Sequence, residues 1–150
     1  MIGLRPVLIV DDSADDVELM REALGTFKLA NPIDVARDGE EALRYLRREP
    51  PFAARPTLDP SVVLLDLKMP KLDGLEALRE IRADPALRAI PIVMVTSSRE
   101  EQDLVRSYAL GVNAYVVKPV DFAAFADAVQ QLGAFWAVLN EPPPTGGGRG

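Results

Sequence analysis

The stretch that decides the fold is Val62-Val-Leu-Leu-Asp66-Leu-Lys-Met-Pro70, in which four apolar residues run directly into a carboxylate and a turn. An apolar run of strand length, bounded by Pro60-Ser61 and by Pro70, predicts a strand that is buried on both faces. Such strands end at the carboxyl edge of a parallel sheet, where open α/β sheets bind their ligands. An ionised aspartate is costly inside a core but can face water, metal or substrate at this edge. We therefore predict that Asp66 is the reactive residue.

The composition excludes several classes of site and partner. The chain has 150 residues, 48% of them hydrophobic, and contains neither cysteine nor histidine. Disulfides, thiolate metal sites and histidine bases are thereby excluded, so any metal is a hard cation on oxygen ligands. The net charge of −6 argues against nucleic acid as a partner. With no apolar run of membrane-spanning length and no leader, we expect a cytoplasmic protein without membrane attachment.

Four further segments repeat the design of the central strand. We predict strands at 6–10, 33–36, 90–96 and 113–117, besides the one that ends at Asp66. Helices are predicted from 13 to about 27, from 38, from 73, from 97 or 98 to about 110, and from 121 to about 139. Five strands alternating with five helices favour an α/β, doubly wound sandwich with a parallel sheet in the order 2-1-3-4-5.

Capping residues and prolines mark where the regular elements begin and end. The predicted N-terminal caps are Ser13 with Asp16, Asp38, Asp73, and either Ser97 with Glu100 or Ser98 with Glu101. Gly111 is expected directly after the fourth helix. Residues 49–60 contain four prolines and are predicted to form a long loop. We expect one domain over 1–140 and a flexible Pro/Gly tail over 141–150.

Polar side chains follow four of the five predicted strands. They are Asp11 and Asp12, Asp66, Thr96 and Lys118. The strand order brings them to one edge of the sheet, where three carboxylates repel each other and need a counter-charge. Lys118 supplies one positive charge, and Mg²⁺ or Mn²⁺ supplies two. We expect Asp12 and Asp66 as direct ligands, Asp11 as a ligand directly or through water, and the backbone carbonyl of Lys68 within reach.

This array suits phosphoryl transfer, in which the protein positions three equatorial oxygens and neutralises their charge. The metal takes one oxygen, Lys118 takes another, and the Thr96 hydroxyl takes the third together with nearby backbone N–H groups. Asp66 is then the in-line nucleophile and becomes an aspartyl phosphate.

In these motifs the chain resembles the receiver domain of two-component response regulators, over about residues 5–139. The motifs are the acidic pair after strand 1, D-L-K-M-P-x-x-D-G from Asp66, Thr96 after strand 4, and K-P after strand 5. The resemblance implies a flavodoxin-like fold and transfer of a phosphoryl group to Asp66 from the phosphohistidine of a sensor histidine kinase. It also implies a cis Lys118–Pro119 peptide bond.

The same resemblance implies a switch. Thr96 moves toward the phosphate while an aromatic residue, here Tyr115, turns inward. Lys68 and Ser98, two residues past Asp66 and Thr96, match the variable positions that tune dephosphorylation by water. Taken alone, Thr96 could cap a helix, and Tyr115 could be an ordinary core aromatic.

Further features resemble the single-domain regulators that are paired with phytochrome-type sensor kinases. These features are the proline-rich loop before Asp66, T-S-S after strand 4, N-x-Y-V-x-K-P, and a closing F-W. They imply a bacteriophytochrome as the partner kinase. The predicted last helix spans about 28 Å, against roughly 17–20 Å for a typical strand, so Phe135 and Trp136 at its end are expected to be partly uncovered. We expect a homodimer through a face that includes this helix.

Taken together, we expect a phosphorylatable regulator without an output domain, whose signal leaves through helix 4, strand 5 and helix 5. It is not expected to be an enzyme beyond slow autophosphatase chemistry. Two alternatives remain open, a phospho-relay intermediate and a structural dimer module that is never phosphorylated. A haloacid-dehalogenase-type phosphatase is a weak alternative, because those enzymes place a second aspartate two residues after the first, where this chain has Lys68.

Overall fold

The computed structural model describes residues 5–26, 31–54, 59–118 and 123. The predicted helix over 121–139, with Phe135 and Trp136, lies outside the described residues except for Ala123, which is helical and exposed. Pro119, with its predicted cis bond, and the tail over 141–150 also lie outside them.

Five strands form one parallel sheet in the order β2-β1-β3-β4-β5. The strands are β1 Val7–Val10, β2 Ile33–Ala36, β3 Val62–Leu65, β4 Ile92–Thr96 and β5 Ala114–Val117. β3 occupies the centre and pairs with β1 in the register Val7 to Val62 through Val10 to Leu65. The predicted strand order is therefore confirmed, and Asp66 directly follows the central strand.

Four helices alternate with the strands in the described part of the chain. They are α1 Ala14–Thr26, α2 Gly39–Leu46, α3 Gly74–Ala83 and α4 Glu101–Ala109. None of the helices in the described ranges has the length and apolar character that a membrane span requires.

Three predicted N-cap residues are confirmed, but the reciprocal half of the capping box at α1 is wrong, because the Ser13 N–H donates to Oδ1 of Asp11 and not to Asp16. Ser13 Oγ accepts the Asp16 N–H at 3.2 Å, and Asp38 accepts from Glu41 at 2.8 Å. At α3 the carboxylate of Asp73 likewise accepts a backbone N–H. α4 ends at Ala109, and Gly111 follows with a positive φ of 97°, as predicted for a residue just past a helix C-terminus.

The predicted capping box of α4 is wrong in both registers. Glu100 is the N-cap residue, and its side chain makes no capping hydrogen bond. Ser98 instead donates its hydroxyl hydrogen to Oδ2 of Asp103 at 2.6 Å and accepts the Glu100 N–H at 3.3 Å. Ser98 lies two residues before the N-cap, so its hydroxyl accepts the N–H of the N-cap residue itself and not one from the first turn of the helix. The helix therefore begins later than the serine pair indicated.

The sheet separates two apolar cores. Val63 and Leu65 of β3 belong to the core shared with α2 and α3, whereas Val62 and Leu64 belong to the core shared with α1. All four side chains are fully buried. The central strand is therefore buried on both faces, as its unbroken apolar run predicted.

The proline-rich loop packs on α2. Its described residues, 49–54 and 59–60, contain neither helix nor strand, as predicted. The ring of Phe52 meets the ring of Tyr45 edge to face, with centroids 5.4 Å apart. Tyr45 is itself buried, and its hydroxyl donates to Asp34 of the edge strand β2. The aromatic pair thus connects the loop to α2 and, through the Tyr45 hydroxyl, to the sheet.

Arg82 connects three segments at the amino edge of the sheet, and no sequence pattern pointed to it. Its guanidinium donates to the carbonyls of Arg88, Ile90 and Gly111 at 2.8–2.9 Å. It also donates to Oδ1 of Asn113 at 2.9 Å. The end of α3 is thereby joined to the segments that lead into β4 and β5.

The start of α2 lies against the loop that follows β3. The Gly39 N–H donates to the carbonyl of Leu72 at 3.1 Å. A Cβ atom at position 39 would lie 2.3 Å from that same oxygen. Glycine therefore allows α2 to approach the loop that begins at Asp66.

We expect Gly39→Ala to lower the free energy of unfolding by about 1–3 kcal/mol, because the added methyl group forces two backbone segments apart. Gly25→Ala in α1 is the matched control, since a Cβ there meets nothing within 4 Å. Alanine favours a helix over glycine by about 0.5–1 kcal/mol, so this control should stabilise the protein. Urea unfolding measures both changes, and a stable Gly39→Ala variant would contradict the packing argument.

Candidate functional site

Backbone hydrogen bonds continue the strand ladders into the predicted site. The Asp66 N–H donates to the carbonyl of Val10 at 2.9 Å, and the Lys118 N–H donates to the carbonyl of Thr96 at 2.8 Å. Both residues are therefore held by the neighbouring strand although they lie just past the ends of their own. The polar residues at the carboxyl ends of β1, β3, β4 and β5 consequently meet at one edge of the sheet.

Three carboxylates meet at this edge. One oxygen from each of Asp11, Asp12 and Asp66 lies within 4.8 Å of the other two. Asp11 and Asp66 are buried, and Asp12 is exposed. Such a set of hard oxygen donors, open on one side, fits a divalent cation like Mg²⁺, which keeps part of its water shell. The structure brings together the three predicted carboxylates, and their role as ligands stays a prediction.

Lys118 lies among the carboxylates, as predicted. Its Nζ is 2.7 Å from Oδ2 of Asp11, 2.8 Å from Oδ2 of Asp16 and 3.6 Å from Oδ2 of Asp66. Burial lowers the pKa of Lys118, but the hydrogen bonds with Asp11 and Asp16 outweigh it, so the pKa lies above its ordinary value. The ammonium group is therefore charged at neutral pH and available to a developing negative charge.

The contact between Asp16 and Lys118 was not predicted from the sequence. Asp16 was predicted only as part of a capping box, of which its backbone N–H makes one half by donating to Ser13. Its carboxylate, however, also pairs with Lys118. The signal that could have revealed this contact is its place in the first turn of α1, directly after the acidic pair, since that turn starts at the same sheet edge.

Burial makes Asp66 easier to protonate than an ordinary carboxylate. Burial raises the pKa of Asp66 from 3.8 to about 6. Lys118 lowers this pKa, the charges of Asp11 and Asp12 raise it, and a hydrogen bond from the Leu67 backbone lowers it. Lys118 therefore compensates only part of the cluster's negative charge. A bound divalent cation would supply the remainder.

The loop after Asp66 is held close to the start of α3. The Gly74 N–H donates to the carbonyl of Leu67 at 2.7 Å. A Cβ at position 74 would lie 2.2 Å from the carbonyl oxygen of Asp66, so only glycine permits this approach. Lys68, in the same loop, is exposed. Its predicted carbonyl ligand and its influence on dephosphorylation stay predictions.

Thr96, Ser98 and Tyr115 are joined by hydrogen bonds at the ends of β4 and β5. The Ser98 N–H donates to Oγ1 of Thr96 at 3.2 Å, and the Tyr115 hydroxyl donates to the Ser98 carbonyl at 3.1 Å. Thr96 is buried, and the other two are half-buried. Burial raises the pKa of Tyr115. The structure thus joins the two predicted switch residues, Thr96 and Tyr115, through Ser98, which was predicted to tune dephosphorylation, and all three roles stay predictions.

Comparison with known proteins gives one consistent family. The model of the response regulator receiver domain matches residues 7–130. The chain is 37% identical over 130 residues to the response regulator Rcp1 of Synechocystis sp., covering 87% of each protein. A structure of the Mn²⁺-bound form of Rcp1 matches with a TM-score of 0.74 at 36% identity, over 88% of this chain and 94% of that one.

Two further solved structures are similar over most of their length. The bacteriophytochrome response regulator RtBRR matches with a TM-score of 0.82 at 57% identity, over 94% of this chain and 85% of that one. The phosphorylated cyanobacterial phytochrome response regulator RcpA matches with a TM-score of 0.77 at 35% identity, over 95% of this chain and all of that one. Sequence, fold and site thus agree, and the chain belongs to the receiver-domain family of response regulators.

Proposed function

We propose that Asp66 is the phosphoacceptor of this response regulator. The donor is the phosphohistidine of a sensor histidine kinase, and the reaction requires Mg²⁺ or Mn²⁺. The observation that carries the proposal is the position of Asp66, buried at the end of the central strand with Lys118 and two further carboxylates around it. The phosphorylated form of RcpA supports the same chemistry.

The transfer moves a phosphoryl group from nitrogen to oxygen. An oxygen of Asp66 attacks the phosphorus in line as the P–N bond breaks, and the bonding electron pair stays on the imidazole nitrogen. Lys118 Nζ, 3.6 Å from Oδ2 of Asp66, donates to one phosphoryl oxygen. The Thr96 hydroxyl, at the adjacent strand end, donates to another. Together they neutralise and orient the group during transfer.

The metal is held by the acidic residues at the same edge. Asp12 and Asp66 bind it directly, Asp11 binds it directly or through water, and the carbonyl of Lys68 completes the protein ligands. When bound, the cation neutralises charge on the phosphoryl oxygens and between the carboxylates. The proximity of the three carboxylate oxygens supports this assignment. The Mn²⁺-bound form of Rcp1 supports it from a relative.

Phosphorylation changes a protein-binding surface around α4 and β5. Thr96 turns to the phosphoryl group and Tyr115 adopts its inward position. α4 exposes Leu104, Val105 and Tyr108, which are 38%, 59% and 44% exposed. A helix with three exposed apolar side chains supports an output surface at this place. Slow hydrolysis by water, tuned at Lys68 and Ser98, resets the switch.

The partner kinase in this proposal is a bacteriophytochrome. The similarity to RtBRR at 57% identity supports that choice. The proposal also includes a homodimer through a face containing the predicted helix over 121–139, with Phe135 and Trp136 in the interface. The support for the dimer is the spacing of apolar residues along that segment.

We expect the protein to bind beryllofluoride, a mimic of the aspartyl phosphate, only when Mg²⁺ is present. Asp66→Asn should abolish the binding, because an amide neither forms the bond to beryllium nor supplies a charged metal ligand. Asp15→Asn is the matched control, since Asp15 is an exposed carboxylate on α1 and should leave binding unchanged. Isothermal titration calorimetry measures all three proteins. If the wild-type chain does not bind beryllofluoride, the phosphoacceptor proposal is wrong.

We expect the affinity for Mg²⁺ to fall by roughly tenfold between pH 7 and pH 5. The pKa of Asp66 is raised to about 6, so its carboxylate is mostly ionised at pH 7 and mostly protonated at pH 5. A proton then competes with the cation for the same oxygens. Calorimetric titration with Mg²⁺ at each pH tests the expectation. The Mg²⁺ affinity of Asp66→Asn should depend much less on pH. If the variant and the wild type show the same pH dependence, protonation of other carboxylates causes it.

A further inference from the structure

Ser98 is the point at which the segment between β4 and α4 is held. Its N–H donates to Oγ1 of Thr96 at 3.2 Å, and its carbonyl accepts from the Tyr115 hydroxyl at 3.1 Å. Its hydroxyl accepts the Glu100 N–H at 3.3 Å and donates to Oδ2 of Asp103 at 2.6 Å. Every polar group of Ser98 is therefore engaged, and a displacement of its backbone moves both the donor to Thr96 and the acceptor of Tyr115.

Asp103 makes the shortest of these bonds. It is a carboxylate in the first turn of α4, only 5% exposed, and the phosphoryl-transfer chemistry does not use it. A buried carboxylate is retained where it is hydrogen-bonded, and the start of a helix further favours its negative charge. Because a bond to an ionised acceptor is stronger than one between neutral groups, Asp103 determines where the Ser98 hydroxyl lies.

We propose that Asp103 is a positioning residue. By holding the Ser98 hydroxyl, it keeps the Ser98 carbonyl where the Tyr115 hydroxyl donates to it. This hydrogen bond favours the inward position of Tyr115. This inference rests on the proposed function, in which inward Tyr115 accompanies phosphorylation at Asp66. In a two-state switch, a contact that favours one arrangement raises the affinity for the ligand that selects it. Asp103 therefore raises the affinity of Asp66 for a phosphoryl group, although Asp103 does not contact that group.

The hydrogen bonds give this effect a physical route. A hydroxyl has one hydrogen and two lone pairs, so Thr96 accepts the Ser98 N–H and still donates to a phosphoryl oxygen. A displacement of Ser98 therefore moves both the Ser98 N–H, which donates to Thr96, and the Ser98 carbonyl, which accepts from Tyr115. Asp103 acts on both residues from the helix side, through the serine hydroxyl.

The test uses a set of variants of the full chain. Asp103→Ala and Ser98→Ala remove the same bond from its two ends, and a double variant combines them. Asp103→Asn keeps an acceptor oxygen at the same place. Ser97→Ala, at an exposed neighbouring serine, is the matched control. Two quantities are measured for each variant. The first is the affinity for beryllofluoride at saturating Mg²⁺. The second is the fluorine NMR position of the Tyr115 resonance in fluorotyrosine-labelled protein, and the Tyr115→Phe variant assigns that resonance.

We expect Asp103→Ala and Ser98→Ala each to weaken beryllofluoride binding by about three- to tenfold, the factor that one lost hydrogen bond predicts. Both should shift the Tyr115 resonance toward the solvent-exposed value. The double variant should bind beryllofluoride about as well as Ser98→Ala, because both changes remove the bond between Ser98 and Asp103 and only Ser98→Ala also removes the acceptor of the Glu100 N–H. Asp103→Asn should recover most of the affinity, and Ser97→Ala should match the wild type.

Other results overturn the inference. A purely structural Asp103 lowers the melting temperature and leaves both the affinity and the Tyr115 resonance unchanged. Losses that multiply in the double variant show that Asp103 does not act through Ser98. If Asp103→Ala does not fold, Ser98→Ala tests the same bond from its other end. If the wild type does not bind beryllofluoride, the proposed function fails, whereas the Tyr115 resonance in the metal-free variants still decides the position of Tyr115.

Discussion

A shared ammonium group is the constraint on which the site depends. Lys118 pairs with Asp11 and Asp16 and lies close to Asp66, and all of these groups lie at the carboxyl edge of the sheet. Bringing charges out of water is costly, and the attraction between them offsets this cost only when the geometry is good. One cation cannot satisfy four carboxylates, counting Asp12. The remaining negative charge makes the site receptive to a metal ion and, with it, to a phosphoryl group.

The fold supplies this geometry by ending parallel strands at a common edge. Asp66 follows the central strand, so the strands on both sides can contribute to its surroundings. Backbone bonds to neighbouring strands extend the order of the sheet to the residues just past its ends. Gly39 and Gly74 serve the same geometry, because each permits a helix to begin in contact with the loop that starts at Asp66.

The start of α4 joins the site to the rest of the molecule. Its first turn is secured by a buried carboxylate that reaches back to Ser98, where a capping box in one of two registers was predicted. Ser98 in turn contacts both Thr96 and Tyr115. The departure from ordinary capping therefore falls at the place where the phosphorylation site meets the proposed output surface. Local rules fail most often at functional sites, and this helix start is an instance of that tendency.

The sequence by itself determined the strands, three N-cap residues and the carboxylates of the site, because each depends on local periodicity or on a residue's place beside a strand or helix. The strand order followed from the alternation of strands and helices, which restricts a parallel sheet to few arrangements. Only the tertiary structure decided which groups pair. Lys118 and Asp16 are 102 residues apart, and Arg82 and Asn113 are 31 apart, so no local pattern relates them. Ser98 and Asp103 are near in sequence, yet their pairing depends on how the start of α4 packs, since the Asp103 carboxylate is buried there. Local chemistry therefore predicts which residues reach the sheet edge, and packing decides which of them are partners.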